Sequence, residues 1–328
     1  MDWIVSLTPE VSEDPLEALA RPPDGASIVE LRADLFPAVD LRAAIGACPL
    51  PVLVTLRSNA EGGRGPTDPD ERRAVIEGAR DAGAALIDLE CERDGHLMRA
   101  LGLASEQVVM SWHDPGGTPE ALGEIAERML ESAARWVKVV PTANSVADLV
   151  SVLALHGDFN QRSRQRRRLL TFAMGGPGTA SRYLAPLLGP SLSFAAWNEG
   201  AEAAPGQLTI ARTMAVISHL NGPPQRLYGV VGSNVTRSLS PALHAAAYRA
   251  LDLPYLMLPI STPDVAELAE LFVPRGDTCF DRIGLPTYGW AVTTPYKDEA
   301  AAAADLAAPR VQRAGAANTL VLGDGKVV

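Results

Sequence analysis

Ile28-Val29-Glu30-Leu31-Arg32 decides how this chain is read. Its apolar residues suit a β-strand, and its two charges stand two positions apart, so both project from one face. Strands of a parallel sheet are covered on both faces and usually read as unbroken apolar runs. A carboxylate and a guanidinium on such a strand therefore need partners, because an unpaired buried charge is costly.

Strand-like segments of similar length recur at Trp3–Leu7, Val52–Arg57, Ala85–Glu90, Val108–His113, Trp136–Val140, Leu169–Met174 and Ser191–Phe194. Between them lie helix-like stretches at Asp70–Ala82, Pro119–Ser132, Ser145–Leu155 and Ser181–Leu188. Ser145 precedes an apolar-periodic run as an N-cap would, and Thr118-Pro119-Glu120 offers a cap residue before a proline at the first helical position. Eight strands, most of them followed by a helix, predict an α/β fold over residues 1–220, a (β/α)8 TIM barrel. An open doubly wound sheet is the alternative.

The charge pattern repeats along these strands. Arg57 closes the third, Asp88 and Glu90 the fourth and His113 the fifth, while Lys138 sits inside the sixth. Strand C-termini of a barrel converge on one mouth, where barrel active sites lie. Lys138 stands among branched apolar residues in Trp136-Val137-Lys138-Val139-Val140. As a snorkelling lysine it would do nothing. Desolvated and surrounded by arginines, it would lose its proton and become a nucleophile able to form a Schiff base with a ketone. His113 adds a group that moves protons near neutral pH. Lysine, histidine and arginines together point to bond cleavage beside the carbonyl of an anionic substrate.

Composition narrows the class. The 328 residues are 47% hydrophobic and 21% charged, enough for a packed core, and the net charge of −10 disfavours nucleic acid or an anionic membrane as partner. The basic cluster Arg162, Arg164, Arg166, Arg167 and Arg168 reads as a solvated loop before the seventh strand. Cys48, Cys91 and Cys279 are too few and scattered for a disulfide framework or a zinc site, so no metal is expected. Reduced thiols, no secretory signal and no long apolar run give a cytoplasmic expectation.

Asn221-Gly222-Pro223-Pro224 breaks the pattern as a linker does, and a second, smaller α/β unit is expected over residues 226–328. Its strands are predicted at Leu227–Val231, Tyr255–Ile260, Trp290–Thr294 and Thr319–Leu322. Its helices are predicted near Pro241–Ala250, Pro263–Phe272 and Lys297–Leu306.

Ile4-Val5-Ser6-Leu7, Glu30-Leu31-Arg32-Ala33-Asp34, Thr55-Leu56-Arg57 with Glu61-Gly62-Gly63, and Ser111-Trp112-His113-Asp114 stand in an order that resembles type I 3-dehydroquinate dehydratase. Val137-Lys138-Val139, Met174-Gly175 with Ser181-Arg182, and Ala204-Pro205-Gly206-Gln207 extend the resemblance. It implies Lys138 as Schiff-base nucleophile, His113 as proton shuttle and Glu61 as the group that orients His113. Arg182 would clamp the substrate carboxylate, and Ser6, Glu30, Arg32, Arg57 and Gln207 would hold ring hydroxyls. The implied reaction is loss of water from 3-dehydroquinate, with no cofactor. Where the family carries Ser-Ala before Pro-Gly-Gln, this chain has Ala203-Ala204, so one hydroxyl is missing and weaker substrate binding is expected.

Tyr228-Gly229-Val230-Val231-Gly232, Ser238-Leu239-Ser240-Pro241, Val292-Thr293-Thr294-Pro295-Tyr296-Lys297 and Gly315-Ala316-Ala317-Asn318-Thr319-Leu320 are similar to the substrate-binding domain of shikimate dehydrogenase. That resemblance implies Ser238, Ser240, Thr293 and Asn318 as shikimate contacts and Lys297 as a catalytic residue. The dehydrogenase family uses NADP. No G-x-G-x-x-G occurs in this chain, the family's asparagine is replaced by Ala291, and its Asn-Thr-Asp segment does not follow, so no hydride transfer is expected. A class I aldolase and a non-catalytic sensor of quinate or dehydroquinate are the competing functions. A homodimer is compatible with either.

Overall fold

The computed structural model describes residues 1–157 and 168–328. Arg162, Arg164, Arg166 and Arg167 of the basic cluster lie outside the described residues. Arg168 lies inside and donates to the carbonyls of Ser132 and Ala134, closing the turn before the seventh strand.

Eight strands form one parallel sheet: β1 (Asp2–Leu7), β2 (Ile28–Arg32), β3 (Val52–Thr55), β4 (Leu86–Glu90), β5 (Val108–Asp114), β6 (Trp136–Pro141), β7 (Leu169–Thr171) and β8 (Leu192–Ala196). They run in the order β7-β6-β5-β4-β3-β2-β1-β8. β1 pairs with both β2 and β8, which curls the sheet into a nearly closed barrel rather than the open sheet held as the alternative. Among the described residues, no ladder joins β7 to β8.

The helices are α1 (Pro15–Leu19), α2 (Leu41–Ala47), α3 (Pro69–Asp81), α4 (Cys91–Asp94), α5 (Leu97–Ala100), α6 (Leu122–Leu130), α7 (Val146–Leu155), α8 (Gly175–Leu188) and α9 (Ile210–Ile217). Ser145 caps α7 as its sequence predicts, accepting from the Asp148 amide. Thr118 does not cap α6. Its hydroxyl donates to the Thr142 carbonyl at 2.9 Å, and the helix begins only at Leu122. α8 starts six residues before the predicted Ser181, because Gly175 turns with φ +86° and Gly178 packs so closely on Ala173 that a Cβ would sit 2.8 Å from the Ala173 methyl.

A second sheet follows, formed by β9 (Arg226–Gly232), β10 (Tyr255–Ser261), β11 (Thr287–Val292), β12 (Thr319–Gly323) and β13 (Lys326–Val327), in the order β10-β9-β11-β12-β13. Its helices are α10 (Ser240–Ala250), α11 (Lys297–Ala303) and α12 (Pro309–Ala314). The helix expected at Pro263–Phe272 is a short 3-10 turn, Val265–Glu270, and β11 ends at Val292, before Thr293. Leu227, Leu256 and Ile260 of this sheet share one apolar cluster with Leu149 and Leu153 of α7 and Leu184 of α8. Burying that face welds the second sheet to the barrel's outer layer. Among the described residues, no helix is long and apolar enough to cross a membrane.

Candidate active site

The barrel register sets the charged residues side by side. Ser6 pairs with Glu30, Arg32 with Thr55, Thr55 with Asp88, Glu90 with Ser111, and Ser111 with Lys138. Directly opposed residues of parallel strands project to the same face, so these polar side chains gather at one end of the barrel. Ser6, Glu30, Arg32, Arg57, Glu61, His113, Lys138, Arg182 and Gln207 line a single cavity of about 400 Å³. These are the nine barrel residues that the dehydratase resemblance implies, while Asp88 and Glu90 stand behind the cavity wall as partners of Arg57.

Apart from Arg182, the buried charges have partners that make their burial tolerable. The Arg32 fork is bidentate on Asp34, at 2.8 and 2.7 Å. Glu30 accepts from Ser6 Oγ at 2.5 Å and from Thr55 Oγ1 at 2.8 Å, and Gln207 Nε2 donates to Ser6 Oγ at 3.2 Å. Arg57 is a hub: NH1 donates to Glu61, Glu90 and Ser111, and NH2 donates to Asp88 at 2.9 Å. The carboxylates around it hold its guanidinium charged despite burial. The loop carrying Glu61 folds back on Arg57 tightly enough that a Cβ at Gly63 would sit 2.2 Å from the Arg57 carbonyl oxygen.

Glu61 Oε2 lies 3.1 Å from both the His113 amide and its ring Nδ1. Burial pushes the Glu61 carboxyl up to about 8, against the pull of Arg57. His113 is held well below the usual imidazole range, by burial first and then by Arg57, Lys138, Arg32 and Arg182. Its ring is therefore neutral near neutral pH. A proton on Nδ1 facing Glu61 leaves Nε2 as a base.

Lys138 is 6% exposed. Nζ lies 3.8 Å from Asp88 Oδ2 and 4.1 Å from the centre of the Phe194 ring. Burial lowers its pKa, outweighing the pull of Glu30 and Asp88. The low-dielectric site thus favours the free amine that attacks carbonyls.

Arg182 differs from the other arginines. It is buried and stacks on Phe172 at 4.7 Å, yet its Nε and one terminal nitrogen have no hydrogen-bond partner among the described residues. Burial alone lowers its pKa to about 9. A fork of unused donors facing a cavity is suited to a carboxylate. Ala203 and Ala204 also line this cavity, and Ala203 meets Gln207 only through its amide, 2.8 Å from Oε1. No hydroxyl stands there.

Several participants were missed in the sequence. Asp34, Thr55 and Ser111 orient Arg32, Glu30 and Arg57, while Phe172 and Phe194 wall in Arg182 and Lys138. The i, i+2 spacing of Asp34 to Arg32 was a usable signal. The phenylalanines read as ordinary core.

The second sheet places its five predicted residues around the C-terminal ends of β9 and β11. The Val292 amide donates to the Asn318 carbonyl and the Ala317 amide to the Lys297 carbonyl, which ties Thr293, Lys297 and Asn318 into one corner. Ser238 and Ser240 start α10, where Ser238 Oγ accepts from the Ser240 amide at 3.2 Å. Lys297 and Asn318 are exposed, and Ser238, Ser240 and Thr293 are half-buried. None of the five is buried, in contrast to most of the barrel residues.

A family model described as type I 3-dehydroquinase matches residues 4–222, and one described as the shikimate dehydrogenase substrate binding domain matches residues 230–320. The bifunctional 3-dehydroquinate dehydratase/shikimate dehydrogenase of Arabidopsis thaliana chloroplasts is 28% identical over 93% of this chain. The chain spans 50% of that relative's length. A 3-dehydroquinate dehydratase of Dehalococcoides mccartyi is 32% identical over 60% of this chain and 88% of its own. The crystal structure of 3-dehydroquinate dehydratase from Geobacillus kaustophilus superposes with a TM-score of 0.56 at 27% identity, covering 66% of this chain and 90% of that one.

Proposed function

We propose that this chain, which belongs to the type I 3-dehydroquinase family, dehydrates 3-dehydroquinate to 3-dehydroshikimate through an imine on Lys138. The observation that carries the reading is the meeting, in one cavity, of the buried Lys138 amine, the Glu61–His113 pair and the unpartnered Arg182 fork.

Arg182 receives the substrate carboxylate. Lys138 Nζ adds to the ring ketone, and loss of water gives the protonated imine, an electron sink for the neighbouring carbon. His113 Nε2 removes a proton from that carbon, and the hydroxyl on the next carbon departs with a proton as a second water. Hydrolysis of the imine consumes one water and frees Lys138. The balance is one water lost per turnover. The lysine supplies the electron sink itself, so this cycle needs no cofactor.

For the second unit we propose weak binding of shikimate or its 3-keto form by Ser238, Ser240, Thr293, Asn318 and Lys297. The turns after β9 and β11, Ser233–Leu239 and Thr293–Tyr296, contain no glycine. Neither suits the close approach of a dinucleotide pyrophosphate such as that of NADP. The free thiols of Cys48, Cys91 and Cys279 support a place in the reducing cytoplasm.

Mixing the full chain with 3-dehydroquinate and following the ultraviolet absorbance of the conjugated product tests the reading. Turnover that Lys138→Ala abolishes supports it. Ligand binding without turnover would favour the sensor instead.

A further inference from the structure

A second charged cluster lies behind the cavity wall, between α3 and the end of β4. Arg72 projects from α3 and is 1% exposed. Its Nε donates to Asp94 Oδ1 at 2.8 Å, and NH2 reaches the other Asp94 oxygen. The carbonyls of Pro66 and Leu56 each accept from it at 3.0 Å. NH2 also lies 3.3 Å from Glu90 Oε2. Asp94 in turn accepts from the Glu90 amide at 3.2 Å.

Glu90 passes the contact on. Its Oε1 accepts from the Ser58 amide at 2.7 Å and from Arg57 NH1 at 3.1 Å. That same NH1 donates to Glu61 Oε2 at 2.9 Å, and Glu61 holds His113. An unbroken series of polar contacts thus runs from the barrel's outer helix layer to the imidazole: Arg72, Glu90, Arg57, Glu61, His113.

A pair serving packing alone would be complete with Arg72 and Asp94. Arg72 in addition holds its charge 3.3 Å from Glu90 Oε2, a buried oxygen with no hydrogen-bond partner among the described residues. The cluster's carboxylates, Glu61, Asp88, Glu90 and Asp94, outnumber its fully buried guanidiniums, Arg57 and Arg72. Each guanidinium is therefore shared, and any Glu90 charge that Arg72 does not neutralise draws on Arg57 and on the half-buried Arg93, whose NH1 lies 3.6 Å from Glu90 Oε2.

We propose that Arg72 is a positioning residue for the dehydration: by engaging Glu90 it leaves Arg57 free to hold Glu61 as the carboxylate that orients His113. The proposal rests on the assignment of His113 as the base.

The groups facing Glu61 are Arg57 beyond β3, Asp88 and Glu90 of β4, Arg93 of α4 and His113 of β5. Removing the Arg72 charge leaves Glu90 less compensated, so Arg72→Gln raises the Glu61 titration midpoint, by about half a pH unit. Asp94→Asn removes the carboxylate that competes with Glu90 for the Arg72 charge and lowers the midpoint by a similar amount. Arg72→Lys keeps the charge and stays near the unsubstituted protein. Carbon-13 NMR of labelled glutamate carboxyls reads the midpoint in the full chain, with Glu61 assigned by the signal lost in Glu61→Gln, and the acid limb of kcat/KM should move with it.

Opposite shifts in Arg72→Gln and Asp94→Asn support the proposal. Lowered melting temperatures with unmoved midpoints, or midpoints displaced in the same direction, overturn it. If Arg72→Gln does not fold, the downward shift in Asp94→Asn decides alone. Should the unsubstituted chain fail to dehydrate 3-dehydroquinate, the reaction assignment falls, while the NMR midpoints still judge whether Arg72 sets Glu61.

Discussion

Glu61 holds His113 at two points, with one carboxylate oxygen 3.1 Å from both the backbone amide and the ring Nδ1. The double contact fixes ring orientation and tautomer together, which a single flexible hydrogen bond would not do. Because burial pushes Glu61 up to about 8, this contact is pH-dependent. Above that value the carboxylate is charged and accepts the Nδ1 proton. Below it Glu61 protonates and its O–H donates to Nδ1, which leaves the ring proton on Nε2 and no base there, while His113, held well below its ordinary range, stays neutral. The rate of 3-dehydroquinate turnover is therefore expected to rise with pH, with a limb near 8. Glu61→Gln should remove that limb and lower kcat by about a hundredfold. Rate-against-pH profiles of the two proteins check this.

Arg182 pairs function against stability. Its guanidinium is buried with two nitrogens lacking hydrogen-bond partners, a costly state for the free protein. Arg182→Met should raise the melting temperature and raise KM roughly 10- to 100-fold, the equivalent of one lost charged hydrogen bond. Calorimetry and steady-state kinetics on one preparation measure both. A lower melting temperature with unchanged KM would contradict the role given to Arg182.

His156 supplies a test away from the cavity. It is buried at the end of α7, its Nε2 lies 2.9 Å from the Thr171 carbonyl oxygen, and burial lowers its pKa from 6.5 to about 4. With the folded value below the unfolded one, the unfolded chain takes up the proton first as pH falls. Its contribution to stability is complete above 6.5 and is lost progressively down to about 4. His156→Gln keeps an N–H donor and should flatten that part of the stability curve. Urea midpoints at pH 7 and pH 4.5 compare the two, with the larger gain for the variant at the lower pH.

The resemblance to the dehydratases implies a serine at the position that Ala203 occupies in this chain. Ala203→Ser should lower KM by roughly 2- to 10-fold, the worth of one neutral hydrogen bond. An unchanged KM would mean that the loop does not bring this position to the substrate.

The barrel and most of its mouth were legible in the sequence because burial makes charges conspicuous. Glu30, Arg57, Asp88, Glu90 and Lys138 interrupt apolar strands, and the strand period places them on one face. The supporting residues were less visible. Thr55 and Ser111 are ordinary strand residues until register sets them beside Glu30 and Arg57. Arg72 sits on a helix whose charges look solvated, and only its length lets it reach Asp94 and Glu90. Thr118 carries a cap signature, but the tertiary contact with the Thr142 carbonyl wins its hydroxyl. The second unit's motifs were readable as motifs, whereas the exposure of Lys297 and Asn318 follows from packing that no short motif encodes.

The proposed dehydration depends on Lys138 as an amine that bonds covalently to substrate. Treating the full chain with borohydride during turnover of 3-dehydroquinate, then mapping the added mass by peptide mass spectrometry, tests it most directly. The expected result is one reduced adduct on Lys138, absent in Lys138→Ala and still formed in His113→Ala. An unmodified Lys138 in a protein that dehydrates the substrate at full rate would contradict it.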